Sequence, residues 1–152
     1  MKLYYDTGLL LKLYTHERDS EAVRKFVVRR REALVFTPLH HSECVSALRL
    51  KCFRGEAREE EVAGALRDIE SDFAAGVLCK VPMDWDAAWV RCRILSDAHA
   101  ASTGCRTLDS LHVACALLLG ADQLVTADAR QANLARKAGL RLVNPLKPLS
   151  RN

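Results

Sequence analysis

The chain has 152 residues, 49% of them hydrophobic and 28% charged, with a net charge of +4. That length and balance are ordinary for one soluble globular domain with a real core. No apolar run is long enough to span a bilayer, and the N-terminus lacks the basic, apolar and small-residue zones of a secretory signal. The cationic excess permits a polyanionic partner without demanding one. The six cysteines (44, 52, 79, 92, 105, 115) form no C-x-x-C pair and show no zinc-ligand spacing. Most fall in apolar helical stretches, where a free thiol packs as a small hydrophobe, so a reducing cytoplasm is expected.

Taken in order, short apolar runs alternate with longer helical patterns. Leu3-Tyr4-Tyr5 predicts a first strand. Thr7 is expected to cap a helix from Leu9, and Asp19 or Ser20 to cap a second piece with Val23, Phe26 and Val27 on one face. Leu34-Val35-Phe36-Thr37-Pro38 reads as a second strand and its stop, followed by a helix over His41–Cys52. Val62, Leu66, Ile69 and Phe73 mark an amphipathic helix ending at Gly76. Residues 77–81 predict a third strand. Asp84 caps a helix carrying Trp85, Trp89, Cys92 and Leu95. The stretch from Leu108 to Leu119 is apolar nearly all round and predicts a buried helix closed by Gly120. Leu124-Val125-Thr126 is a fourth strand, Asp128–Ala138 a helix closed by Gly139, and Leu140–Val143 a fifth strand stopped by Pro145. Strands alternating with helices imply an α/β fold with a parallel sheet of about five strands and right-handed crossovers. No repeat, low-complexity tract or linker is visible, so a single domain over 1–152 is expected.

Four acidic residues sit at strand exits or helix starts: Asp6, Glu43, Asp109 and Asp128. Ligands of an open parallel sheet bind beyond the carboxyl ends of its strands. Four carboxylates gathered there would repel one another, and a hard divalent cation with oxygen ligands is the usual remedy. Each acid also has a bland reading. Asp6 could begin a turn, although its apolar flanks predict near-burial, which is costly for an unpartnered charge. Asp109 opens the most apolar helix of the chain, where the dipole alone, about 0.3–1 kcal/mol at an exposed site, does not offset deep burial. Glu43 reads equally well as a solvated first-turn acid. Asp128 could be only the cap of the last helix. The coincidence of all four is what favours a shared metal centre.

The segments Arg106-Thr107-Leu108-Asp109-Ser110-Leu111-His112-Val113-Ala114 and Gly120-Ala121-Asp122-Gln123-Leu124-Val125-Thr126-Ala127-Asp128, with the opening Tyr5-Asp6-Thr7-Gly8-Leu9-Leu10-Leu11-Lys12-Leu13-Tyr14, resemble the PIN-domain ribonucleases. The chain is most similar to the VapC-type toxins of toxin–antitoxin pairs, over their full length. The resemblance implies a flavodoxin-like three-layer α/β/α sandwich. It also implies an acidic quartet of Asp6, Glu43, Asp109 and Asp128, with Asp6 and Asp109 as main Mg²⁺ ligands (Mn²⁺ able to substitute) and Glu43 and Asp128 completing the site. The implied activity is hydrolysis of RNA to a 5′-phosphate and a 3′-hydroxyl. The implied partners are RNA, a VapB-type antitoxin and a second copy in a homodimer that uses helices between Glu21 and Phe73. Gly8 stands where the family usually carries Ser or another small residue, and no ligand is lost by it.

Other constellations fare worse. Asp6-Thr7-Gly8 matches the aspartic-protease triplet, but such an enzyme needs two of these aspartates on a nearly all-β fold. His40 and His41 are adjacent and point different ways on a helix. His112 is read as a core or supporting histidine rather than a ligand. Arg29-Arg30-Arg31 and the group Arg49, Lys51, Arg54 and Arg58 read either as solvated helix faces or as contacts to RNA phosphates. A housekeeping PIN nuclease and a non-catalytic PIN module are the competing functions.

Overall fold

A computed structural model describes residues 2–146. The elements, in chain order, are β1 (Leu3–Tyr5), α1 (Thr7–Leu11), α2 (Ser20–Arg30), β2 (Leu34–Val35), α3 (Pro38–Phe53), α4 (Glu59–Ala74), β3 (Leu78–Cys79), α5 (Trp85–Thr103), α6 (Thr107–Leu118), β4 (Gln123–Val125), α7 (Ala129–Lys137) and β5 (Arg141–Val143). All five expected strands are present and every pairing is parallel. They hydrogen-bond as a three-stranded sheet, β1-β4-β5, and a two-stranded sheet, β2-β3. The contacts divide the chain into two compact units, one of residues 1–6 with 82–152 and one of residues 7–81. The expected domain over 1–152 includes Met1 and residues 147–152, which lie outside the described residues.

In the first unit β4 is central. Leu3, Tyr4 and Tyr5 register with Gln123, Leu124 and Val125, and these in turn with Arg141, Leu142 and Val143. All three residues of β1 are buried, as expected for a parallel strand covered on both faces. The all-round apolar pattern of α6 has its cause here: every residue from Ser110 to Ala116 is buried. Gly104, at φ 69°, ends α5 and lets the chain turn into α6, and its N–H bonds Ala100 O at 2.8 Å. Helix α5 packs by one side. Ala88, Cys92 and Leu95 are buried, while Trp89 is 49% exposed. The inner line passes through Ala88, whose small side chain allows close helix packing; an indole one position on falls to the outside.

In the second unit β2 and β3 register as Leu34 with Leu78 and Val35 with Cys79. The ladder extends by Leu34 N–H to Val77 O (2.8 Å) and Phe36 N–H to Cys79 O (2.9 Å). Val23, Phe36, Cys44, Leu48, Val62 and Ile69 are among its buried residues. Helix α3 starts three residues before the sequence pattern places it. Thr37 caps it and Pro38 takes the first helical position, where its fixed φ and missing N–H cost nothing. A proline read as a strand stop is therefore also a helix start. A knot of ion pairs closes one side of this unit: Glu17 meets Lys12 Nζ at 2.7 Å and Lys51 Nζ at 2.9 Å.

Candidate active site

The parallel register of β1 and β4 builds the centre of the first unit. Tyr5 faces Val125, so the next residues, Asp6 and Thr126, come side by side just past the strand ends. Asp6 prolongs the ladder through its N–H to Val125 O at 3.0 Å. Its carboxylate is buried and accepts the hydroxyl of Thr126, which is itself 2% exposed. The expected near-burial of Asp6 is thus present, and the partner that burial calls for is a threonine of the neighbouring strand. The same Thr126 oxygen accepts the Asp128 N–H at 3.0 Å. One hydroxyl therefore joins two of the four acids.

Asp128 also caps α7. Its Oδ1 accepts the N–H groups of Arg130 (2.7 Å) and Gln131 (3.1 Å), and its Oδ2 lies 3.5 Å from the Arg130 guanidinium. Partial burial pushes its carboxyl upward, but the two N–H bonds and the guanidinium outweigh it and hold the carboxyl below its ordinary value. Asp109, half-buried in the first turn of α6, accepts the Arg106 N–H at 3.0 Å. Asp128 is thus a cap as its bland reading has it, while Asp109 is the third helical residue of a capping box with Arg106 and is half-buried, which corrects the deep burial expected of it. The charges of both also act on the Cys105 thiol. Burial pushes this thiol up, a bond to Thr103 opposes that, and the Asp109 and Asp128 carboxylates nearby push it up further. Two acids of the expected quartet, Asp6 and Asp128, thus meet the same Thr126 hydroxyl, and Asp109 lies in the same unit.

Glu43 belongs to the second unit, in α3. Because α3 begins at Pro38, Glu43 lies in the second turn, and the reading of it as a first-turn acid is corrected. Its carboxylate accepts the hydroxyl of Thr7, which directly follows Asp6 in the chain. Asp6 and Glu43 are therefore each held by a threonine hydroxyl. Neither threonine stood out in the sequence as a site residue, although Asp6-Thr7 and Thr126-Ala127-Asp128 place each of them beside an acid.

His112 is buried and its Nδ1 lies 3.0 Å from the Tyr4 hydroxyl, which agrees with a core or supporting role. The basic cluster resolves mostly into ion pairs: Arg49 with Glu59 at 2.6 Å, Lys51 with Glu17, and Arg58 with Glu61 at 3.5 Å. These three cations are committed to acids, and the reading as a solvated face fits them. Arg30 lies over the Phe26 ring at 5.0 Å.

Among the described residues no group of three or more His, Cys, Asp or Glu side chains stands ready to hold a metal ion by itself. The donors of the quartet are all carboxylate oxygens, which suit a hard cation. Mg²⁺ keeps several waters and is commonly held by one or two carboxylates. The three acids of the first unit offer donors suited to a largely hydrated ion rather than to a closed protein cage.

A family model described as PIN domain matches residues 3–137. The chain belongs to the PIN domain family. Solved structures also match, among them FitAcB from Neisseria gonorrhoeae, with a TM-score of 0.68 and 13% identity over 96% of this chain and 99% of that one. No curated protein matches the chain. At that identity the likeness establishes the PIN fold, and it fits the three-layer α/β/α sandwich expected from the sequence. No helix among the described residues is long and apolar enough to cross a membrane.

Proposed function

We propose that this PIN domain is a metal-dependent endoribonuclease and the toxin of a type II toxin–antitoxin pair. The observation that carries the reading is that Asp6 and Asp128 share the Thr126 hydroxyl just past the ends of two parallel strands, in the unit that also holds Asp109. Asp6 and Asp109 hold Mg²⁺, or Mn²⁺ in its place, with Glu43 and Asp128 completing the set directly or through water. When bound, the ion neutralises charge at the phosphate and acidifies water.

The residues supply the rest. Thr126 fixes the Asp6 carboxylate and Thr7 fixes that of Glu43, so both acids are oriented before substrate arrives. The N–H bonds and the Arg130 guanidinium favour the ionised form of Asp128. A carboxylate of the quartet orients the attacking water or takes its proton. The products are a 5′-phosphate and a 3′-hydroxyl.

The partners proposed are RNA, a VapB-type antitoxin and a second copy of this chain. The exposed Val28 of α2 and Leu50 and Phe53 of α3, Phe53 at 88%, support a dimer surface between Glu21 and Phe73. The cysteines of the described residues are all free, which supports a cytoplasmic location. Expression in a bacterial host without any partner should arrest growth, and co-expression of a small neighbouring gene product should restore it. Purified protein should cut total RNA with Mg²⁺ and not with chelator. Cleavage without growth arrest would favour a housekeeping nuclease, and absence of both would favour a binding module.

A further inference from the structure

We propose that Arg130 is the resident counter-charge of Asp128, yielding that carboxylate to the metal ion and taking a phosphate of the RNA in exchange. The inference rests on the ribonuclease reading and adds a substrate-binding residue to it. Arg130 stands in the first turn of α7, two positions after Asp128.

The two oxygens of Asp128 have different duties. Oδ1 accepts both N–H bonds of the helix start, from Arg130 at 2.7 Å and Gln131 at 3.1 Å. Oδ2 is the oxygen left for an ion, and the Arg130 guanidinium stands at it, 3.5 Å away. A guanidinium and a divalent cation therefore compete for one atom, and they repel each other if both stay. The resident pair opens easily. Its contact is long, and 45% of the Arg130 side chain and 38% of the Asp128 side chain are exposed. Ion pairs of that kind are weak, so a cation of twice the charge displaces the guanidinium at little cost.

Once released, Arg130 has no second acid to turn to, because it pairs with no other among the described residues. Its stem stays where it is. The Cδ lies 3.6 Å from the place a Cβ would take on Gly104, so the arm rests against the end of α5. The head remains at the start of α7, beside the carboxylate it has left. A phosphodiester approaching these acids is repelled by them, and a freed guanidinium offers it a forked, bidentate partner. The exchange also sets an order, ion before RNA. Arg130 binds and orients the substrate and moves no proton.

The test compares wild type with Arg130→Gln and with Arg136→Gln, which removes a charge from the exposed far end of the same helix. Melting curves in EDTA confirm folding. Calorimetry reads Mn²⁺ affinity, and cleavage of a labelled RNA in saturating Mn²⁺ reads KM and kcat. Arg130→Gln should bind Mn²⁺ about three- to fivefold more tightly. It should nevertheless raise KM about five- to tenfold, with kcat within about twofold. Arg136→Gln should match wild type in both. Mn²⁺ binding by Arg130→Gln no tighter than by wild type would overturn the exchange, and so would an unchanged KM. Equal effects from Arg136→Gln would trace both changes to net charge and overturn it as well. In each of these cases wild type still binds Mn²⁺ and cuts RNA. A wild type that does neither would remove the ribonuclease reading itself.

Discussion

The Thr126 hydroxyl donates to the Asp6 carboxylate across the ends of two registered parallel strands, and both side chains are buried. The acid is aimed by its neighbouring strand, not by its own. The same oxygen receives the Asp128 N–H, so the direction of Asp6 and the start of α7 depend on one atom.

Replacing that atom tests its role. Thr126→Val keeps the shape and removes the hydroxyl, leaving a buried carboxylate and an N–H without their partner. It should cost about 1–3 kcal/mol of stability and lower RNA cleavage about 10- to 100-fold, as loss of a ligand-orienting group does. Thr126→Ser should restore most of both. Chemical denaturation and a cleavage assay on the three proteins check this.

Asp128 caps α7 and is proposed to help hold the ion, and two substitutions separate these roles. Asn caps as well as Asp does, so Asp128→Asn should stay within about 0.5 kcal/mol of wild type while losing metal affinity. Asp128→Ala should lose about 1 kcal/mol as well. Paired thermal melts and Mn²⁺ titrations distinguish them.

Glu17 gives a pH dependence. The hydrogen bonds from Lys12 and Lys51 outweigh its partial burial and hold its carboxyl at about 2, against an ordinary 4.5. A depressed carboxyl stabilises the fold above its unfolded value, and that contribution is lost as pH falls through the folded one. Glu17→Gln should therefore cost about 1–2 kcal/mol at pH 7, allowing for its partial exposure. The difference from wild type should fade between pH 4.5 and 2, the interval between its two acidities. Urea melts across pH read it directly.

Much of this architecture was legible in the residues. The apolar triplet bounded by Asp6 gave β1 its limits, Leu3 to Tyr5, without error. An apolar pattern with no polar side identified α6 as buried. What failed were judgements needing a neighbour. Pro38 stops a strand and opens a helix, and only the Thr37 cap shows which helix position it takes. Which side of α5 packs is another such matter, Ala88 being buried and Trp89 half-exposed. The division of the strands into three and two is likewise a matter of which backbones meet. The four acids were visible as residue types at strand and helix ends. The threonines that aim them were not, because Thr126 meets Asp6 only through a register between positions 120 residues apart.

Metal binding should register as stability. With Mn²⁺ at about 100 times its dissociation constant, wild type should gain about 2.7 kcal/mol, seen as a rise in melting temperature. Ca²⁺, which tolerates other geometries, should stabilise less, and Asp6→Asn should abolish most of the Mn²⁺ response. An equal response in wild type and Asp6→Asn would place the ion elsewhere.

The central claim is that Asp6 belongs to a metal-holding centre that cuts RNA. Its most direct test compares purified wild type with Asp6→Asn on total RNA, in Mg²⁺ or Mn²⁺ and in chelator. Asn keeps the size and a hydrogen-bond acceptor for Thr126 and removes the charge. Wild type should cut only with metal, and the variant should be slower by at least about 100-fold. Cleavage by the variant at the wild-type rate, or undiminished cleavage by wild type in chelator, would contradict the account.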